Sequence, residues 1–216
     1  MVGRLVAEEL VFDPLAVENI GAVLAIELVR QAPKPFPPPE PIHGAGVYAL
    51  YYGGAHAAYA DLVALDDKSW RYPIYVGQTA TRKGFSLGVA GDRRLQERFK
   101  NHAASIEQTA LSLSDFRCRY LVINDAYIGL AEAVLMTVFK PPWNGTGFGS
   151  KVVGKFRMSG KPSVWDSIHP GRGGRPAGDG GAEAAAERVK ASIKAIHDEP
   201  DDHRVRWMLE RIRKFI

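Results

Sequence analysis

Two short triplets of mirrored composition constrain this chain more than any other feature. Gly46-Val47-Tyr48 opens the apolar run Gly46 to Tyr52, and Tyr75-Val76-Gly77 closes the run Arg71 to Gln78. Both runs are rich in β-branched and aromatic residues and read as strands. Gly53-Gly54 and sixteen further residues separate them, Ala-rich enough for a short helix and too long for a simple hairpin. Phe116 to Ile123 reads as a third strand. A helix capped by Asp92 runs to about Gln108, with Leu95, Phe99 and Ala103 facing inward, and another runs from Asp125 through Phe139 until Pro141-Pro142 stops it. The order β, β, α, β, α predicts an α+β domain: a small mixed or antiparallel sheet flanked by helices.

The flanks add helical elaborations. Asp13-Pro14 is a helix start, continued by Leu15, Ile20, Val23, Leu24 and Leu28 to about Gln31 as a packing arm. Lys34 to Pro41 is Pro-rich, cannot donate ladder hydrogen bonds, and predicts an extended wrap. Segments around 145–160 and 171–181 are Gly-rich loops, and 182–197 and 201–214 read as helices of mixed charge. The expected organisation is an N-terminal helix and arm (1–43), a core (44–150), and a basic loop with C-terminal helices (151–216), together one compact unit.

Composition narrows the class. At 216 residues and 46% hydrophobic, the chain can bury one good core. The longest apolar stretch, Ile20 to Val29, is interrupted by Glu27 and is about half the ~20 residues of a membrane span, and the N-terminus lacks a secretory pattern. The expectation is a cytoplasmic protein with no membrane partner. Cys118 is the single cysteine, so neither an internal disulfide nor a Cys-rich zinc site is available. Net charge is only +4 but unevenly placed: residues 1–50 carry three basic and six acidic side chains. Residues 151–175 carry Lys151, Lys155, Arg157, Lys161, Arg172 and Arg175 against Asp166 alone. Such a segment suits a polyanion, because Lys and Arg at phosphates release condensed counterions; equally, it suits a solvated loop.

Chemistry-bearing residues fall between and after the strands. Arg94, Arg98 and His102 stand at i, i+4 and i+8 and line one stripe of a helix. Glu132 lies mid-helix between Ile128 and Met136 on a largely apolar stripe, where a carboxylate is costly unless a cation meets it. A single carboxylate completed by waters and substrate oxygens suits magnesium, with manganese as substitute, because that ion dehydrates reluctantly. A buried ion pair with a core arginine is the alternative. Arg98 offers a planar fork for phosphate, or an exposed i,i+4 partner. His102, one turn on, is a candidate to accept or relay a proton near neutral pH, or a plain surface histidine. Asn144 follows two prolines and precedes Gly145, as a turn residue also does.

Taken in order, Gly46-Val47-Tyr48, Tyr75-Val76-Gly77, Arg98, His102, Glu132 and Asn144 resemble the GIY-YIG nuclease family, which hydrolyses nucleic-acid phosphodiesters with one divalent cation. The likeness covers about residues 44–146. It implies that Tyr48 orients and deprotonates the attacking water, with His102 accepting from it. It implies that Tyr75 contacts the scissile phosphate or a metal-bound water, that Arg98 binds phosphate, that Glu132 holds Mg2+, and that Asn144 ties down the active-site loop or a tyrosine. The two tyrosine roles are interchangeable at this level. Both triplets carry Val in place of Ile, and the tyrosines lie 27 residues apart, farther than in compact repair and homing members. That insertion, the Arg-x3-His helix and the twelve-residue Glu132 to Asn144 interval are similar to small type II restriction endonucleases of the family that cut CCGCGG. The resemblance therefore implies a homodimer cutting a palindromic, G·C-rich double-stranded DNA site, with a cognate DNA methyltransferase as functional partner. Arg94, Lys151, Lys155, Arg157, Arg172 and Arg175 are candidate DNA contacts. Other readings are a repair or mobile-element nuclease, and an inactive DNA-binding protein on the same scaffold.

Overall fold

Strand β2 (Gly46–Tyr52) organises the molecule because every one of its residues is buried. A strand buried on both faces must lie between two packed layers. In this computed structural model, which describes residues 16–80, 91–150, 161–176, 181–198 and 201–215, the sheet order is β1-β4-β2-β3, all antiparallel. Here β1 is Lys34–Pro35, β3 is Tyr75–Gln78 and β4 is Phe116–Val122. The two triplets are register partners: Tyr48 faces Gly77, and Ala49 faces Val76. A Cβ on Gly77 would lie 2.4 Å from the Tyr48 hydroxyl oxygen, so glycine is what allows the Tyr48 ring to lie over β3.

Period-two alternation sends β2 side chains to two different cores. Tyr48, Leu50 and Tyr52 point to one face, where helices α2 (Ala60–Asp66), α3 (Arg94–Glu107), α5 (Val164–Ile168) and α6 (Ala182–Lys194) contribute Leu62, Phe99, Trp165 and Val189. Val47, Ala49 and Tyr51 point to the other, against α1 (Val17–Arg30), α4 (Asp125–Phe139) and α7 (His203–Ile212). The expected α+β architecture is present, with helices on both sides of the sheet.

Several boundaries differ from expectation for identifiable reasons. Strand β3 starts at Tyr75 rather than Arg71, because the buried Asp66 carboxylate accepts the amides of Trp70, Arg71 and Tyr72 and turns the chain before Pro73. The Pro-rich arm is not only a wrap: Lys34 and Pro35 pair with Cys118 and Arg117 at the sheet edge, a position where proline is tolerated. Helix α5 was not anticipated; Ser163 caps it, its Oγ accepting the Asp166 amide at 3.2 Å. Helix α4 begins where expected, with Asn124 Oδ1 accepting the Ala126 amide at 2.9 Å. The proposed helix start at Asp13-Pro14 lies outside the described residues. Among the described residues, no helix is long and apolar enough to cross a membrane.

Candidate active site

The site forms where the mirrored triplets meet α3. Leu95, Phe99, Ala103 and Ile106 bury one stripe of α3 against the aromatic face of the sheet, and this rotates Arg98 and His102 toward Tyr48. Tyr48 is 0% exposed and His102 is 1% exposed. The Tyr48 hydroxyl lies 2.6 Å from His102 Nε2 and accepts from Arg98 Nε at 3.1 Å. Arg98 can only donate, so the hydroxyl accepts from it; the direction of the bond to His102 is set by the imidazole tautomer, and with the ring proton on Nδ1 the Nε2 atom accepts from the Tyr48 hydroxyl. The second nitrogen group of Arg98, Nη2, donates to the Gly149 carbonyl at 2.9 Å.

Aromatic packing fixes these groups. Tyr48 meets Phe99 edge-on at 5.0 Å, His102 stacks on Phe148 at 4.7 Å, and Tyr75 meets Phe148 edge-on at 4.9 Å. Each such pair adds about 0.5–1.5 kcal/mol beyond area burial and restricts ring rotation. Gly149 closes the cage at φ +70°, and a Cβ there would lie 2.5 Å from the Tyr75 hydroxyl and 2.9 Å from His102 Cε1. Phe148 and Gly149 were not singled out from sequence. The Gly-rich run after Asn144 marked a loop but not which of its residues would touch the tyrosines.

Electrostatics separate the tyrosines from ordinary phenols. Burial pushes the Tyr48 pKa well above the usual 10, with Tyr75 adding to the rise and Arg98 opposing it. Burial likewise raises Tyr75, again against Arg98. Burial also raises the Glu132 carboxyl, opposed by the charge of Arg98 and by a hydrogen bond from Gln78. Glu132 is half-buried, on the helical layer opposite α3, and reaches the cluster past the exit of β3. Among the described residues, no Lys or Arg lies within ion-pair distance of it. Beside it, Gln78 Oε1 is buried without a hydrogen-bond partner among the described residues. An orphaned carbonyl oxygen next to an unpaired carboxylate is a donor set suited to a hard cation. Among the described residues, no group of three or more His, Cys, Asp and Glu side chains converges, so Glu132 would act with waters and substrate rather than in an all-protein cage.

Asn144 plays the part of a missing strand. Its Oδ1 accepts from the Val76 amide at 3.0 Å and its Nδ2 donates to the Val76 carbonyl at 2.8 Å, satisfying the outer edge of β3 between Tyr75 and Gly77. It therefore ties down the backbone that carries Tyr75.

Arg94, on the same helical stripe as Arg98, is placed elsewhere. Its guanidinium bonds Asp92 at 2.8 Å and Asp125 at 2.6 Å, clamping the starts of α3 and α4 together. Arg172 is 7% exposed, bonded through Nε to Asp166 at 2.6 Å, with its guanidinium over the Trp165 ring. Neither fork is open to a base edge. Arg175 is half-buried and Lys161 exposed. Lys151, Lys155 and Arg157 lie outside the described residues.

Comparison with curated proteins gives no significant match. Residues 40–196, more than half of the chain, match the Eco29kI GIY-YIG domain. That span includes β2, β3 and β4, helices α2 to α6, and all six residues of the cluster, while α1 and α7 fall outside it. The chain thus belongs to the Eco29kI GIY-YIG domain family of type II restriction endonucleases.

Proposed function

We propose that this protein is a homodimeric, Mg2+-dependent type II restriction endonuclease cutting both strands of a palindromic, G·C-rich DNA site, CCGCGG being the first candidate. The observation that carries the reading is the Tyr48 hydroxyl held between His102 Nε2 at 2.6 Å and Arg98 Nε at 3.1 Å, beside a second buried tyrosine. A phenol is a poor base at neutral pH. Burial makes a standing phenolate at Tyr48 less available still, and Arg98 does not reverse that. Water activation therefore proceeds as a relay: the Tyr48 proton passes to His102 Nε2 as the phenol oxygen takes a proton from the water. The water oxygen forms a bond to phosphorus while the bond to the leaving sugar oxygen breaks in line, and that oxygen departs as an alkoxide that takes a proton from solvent.

Arg98 sits so that its charge faces both tyrosines and the phosphate they would flank, supplying a fixed cation at the developing oxyanion. Tyr75, anchored through the Val76 clamp of Asn144, orients the phosphate. Glu132 would hold the cation, with Gln78 beside it. A magnesium ion there supplies charge neutralisation of the phosphoryl oxygens and a more acidic bound water.

One active site per chain cuts one strand, so a two-fold dimer matches a palindrome. The basic residues of 151–175 other than the paired Arg172 are assigned to backbone contact, and a methyltransferase of the same specificity would protect the host site. Digesting a plasmid of known sequence with magnesium and mapping the ends tests the reading. Discrete fragments with ends at one palindrome are the expected result, and random nicking would overturn the restriction assignment.

A further inference from the structure

A cleft of about 420 Å³ opens beyond His102, away from Tyr48. One wall is an α3 stripe: Arg98, Asn101, His102 and Ser105 stand at i, i+3, i+4 and i+7. The facing wall is Gly149-Ser150, Arg175 and the paired Arg172. Resting on the nuclease reading above, we infer that this cleft is a second phosphate subsite, in which Arg175, Asn101 and Ser105 hold the phosphodiester adjacent to the one being cut.

Three observations support the assignment. The cleft is continuous with the site through Arg98 and His102, and each DNA strand carries one phosphate per ~3.4 Å of helix axis, so a strand seated at Arg98 must place its neighbouring phosphate close by. Arg175 differs from Arg94 and Arg172 in that no carboxylate pairs with it among the described residues; its Nη2 donates to the Ser150 carbonyl at 3.0 Å. The turn that carries it is rigidly mounted. Arg172 anchors one side through the buried Asp166 pair and the Gly147 carbonyl at 3.3 Å, and the Gly173 amide donates to Gln108 Oε1 at 2.8 Å at the end of α3. The buried pair is thus a mount for Arg175, which explains why two nearby arginines of one turn have opposite environments.

Arg175 also holds Ser150, so the test must separate charge from structure. The full chain is titrated, without metal, onto a CCGCGG duplex and onto a one-base variant of it at three salt concentrations, as wild type, Arg175→Gln, Arg175→Lys and Asn101→Ala. Arg175→Gln keeps a donor for Ser150 but no charge, and is expected to weaken binding about tenfold and flatten the salt slope by about one unit. Arg175→Lys is expected to retain the wild-type slope, and Asn101→Ala to weaken binding about threefold without changing it. A wild-type slope in Arg175→Gln would overturn the subsite. So would Arg175→Lys relaxing sequence preference, which would make the residue a base reader. If wild type binds DNA but does not cut it, the nuclease reading fails while the slopes still decide the subsite. If wild type does not bind DNA, both fall.

Discussion

Alternate residues of one seven-residue strand, β2, face two cores of different character. The face carrying Tyr48, Leu50 and Tyr52 is packed with rings that bear polar atoms, among them Tyr59, Tyr75, His102, Trp143, Trp165 and His169. The face carrying Val47, Ala49 and Tyr51 is packed mainly with aliphatic side chains from α1, α4 and α7, such as Leu28, Ile128 and Leu135. Aliphatic packing maximises burial with no polar atoms to satisfy. Aromatic packing also positions hydroxyl and ring nitrogen atoms where water is excluded, but each of those atoms then needs a partner. The comparison teaches a division of labour on the proposed function: one face supplies stability, and the other holds the polar groups to which the chemistry is assigned, at some cost in stability. Glu132 bridges them, projecting from the aliphatic-face helix α4 toward the aromatic-face cluster.

The division can be broken at its bridge first. If Glu132 holds the cation as proposed, Glu132→Gln should lower single-turnover cleavage by at least about a thousandfold, since metal-borne charge stabilisation contributes several kcal/mol. Its folded-state pKa is raised by burial, so the ionised form opposes folding near neutrality. The variant should therefore melt higher than wild type at pH 7, with the difference shrinking as pH falls from the raised folded-state pKa toward the ordinary 4.5, where wild-type Glu132 is protonated in the folded state. Cleavage within tenfold of wild type under saturating magnesium would remove Glu132 from the metal assignment.

On the aliphatic face, Leu135→Ala should cost about 2–5 kcal/mol of stability by denaturant unfolding, because Leu135 is fully buried in α4. The cleavage rate of the folded fraction should stay near wild type. A specific loss of activity at unchanged stability would contradict the division.

A smaller effect is expected from the second polar pair of the aromatic face. The His169 Nε2 is hydrogen-bonded to the Tyr59 hydroxyl, and burial, then His56 and Arg172, lower its pKa from 6.5 to about 3. A depressed folded-state pKa means the unfolded chain takes up the proton first. The stability that neutral His169 contributes is present above pH 6.5 and lost as pH falls toward 3. Relative to His169→Gln, wild type should lose about 1.4 kcal/mol per pH unit within that window. Parallel pH profiles for the two proteins would show that His169 takes no part in acid unfolding.

Legibility in the sequence follows from locality. Strands β2 and β4 and helix α4 were readable because alternation, caps and proline stops lie within each segment. Tyr48, Tyr75, Arg98, His102, Glu132 and Asn144 stand out because their order resembles a known pattern; in the fold Tyr48, Tyr75, Arg98 and His102 are joined by hydrogen bonds or ring contacts, and Asn144 bonds the Val76 backbone beside them. What was not readable depends on partners distant in sequence. Arg94 shares the stripe of Arg98, yet Asp125, 31 residues on, claims it. Arg172 and Arg175 look equivalent in the sequence, and only the placement of Asp166 and Gly147 distinguishes them. Gln78, Gly149 and Asn101 carry no local signal, since their roles come from what packs opposite them.

Single-turnover cleavage by Tyr48→Phe, measured together with its unfolding free energy, tests most directly whether the aromatic face performs the chemistry. The ring and its contacts with Phe99 and Tyr75 remain, and only the hydroxyl between His102 and Arg98 is removed. The loss of a buried hydrogen bond should cost about 1–3 kcal/mol of stability, leaving the protein folded. Cleavage of bound DNA should fall by roughly 10²–10⁴, the usual contribution of a positioned general base. A folded variant that cuts within threefold of wild type would show that water is activated without Tyr48, and the proton relay to His102 would have to be abandoned.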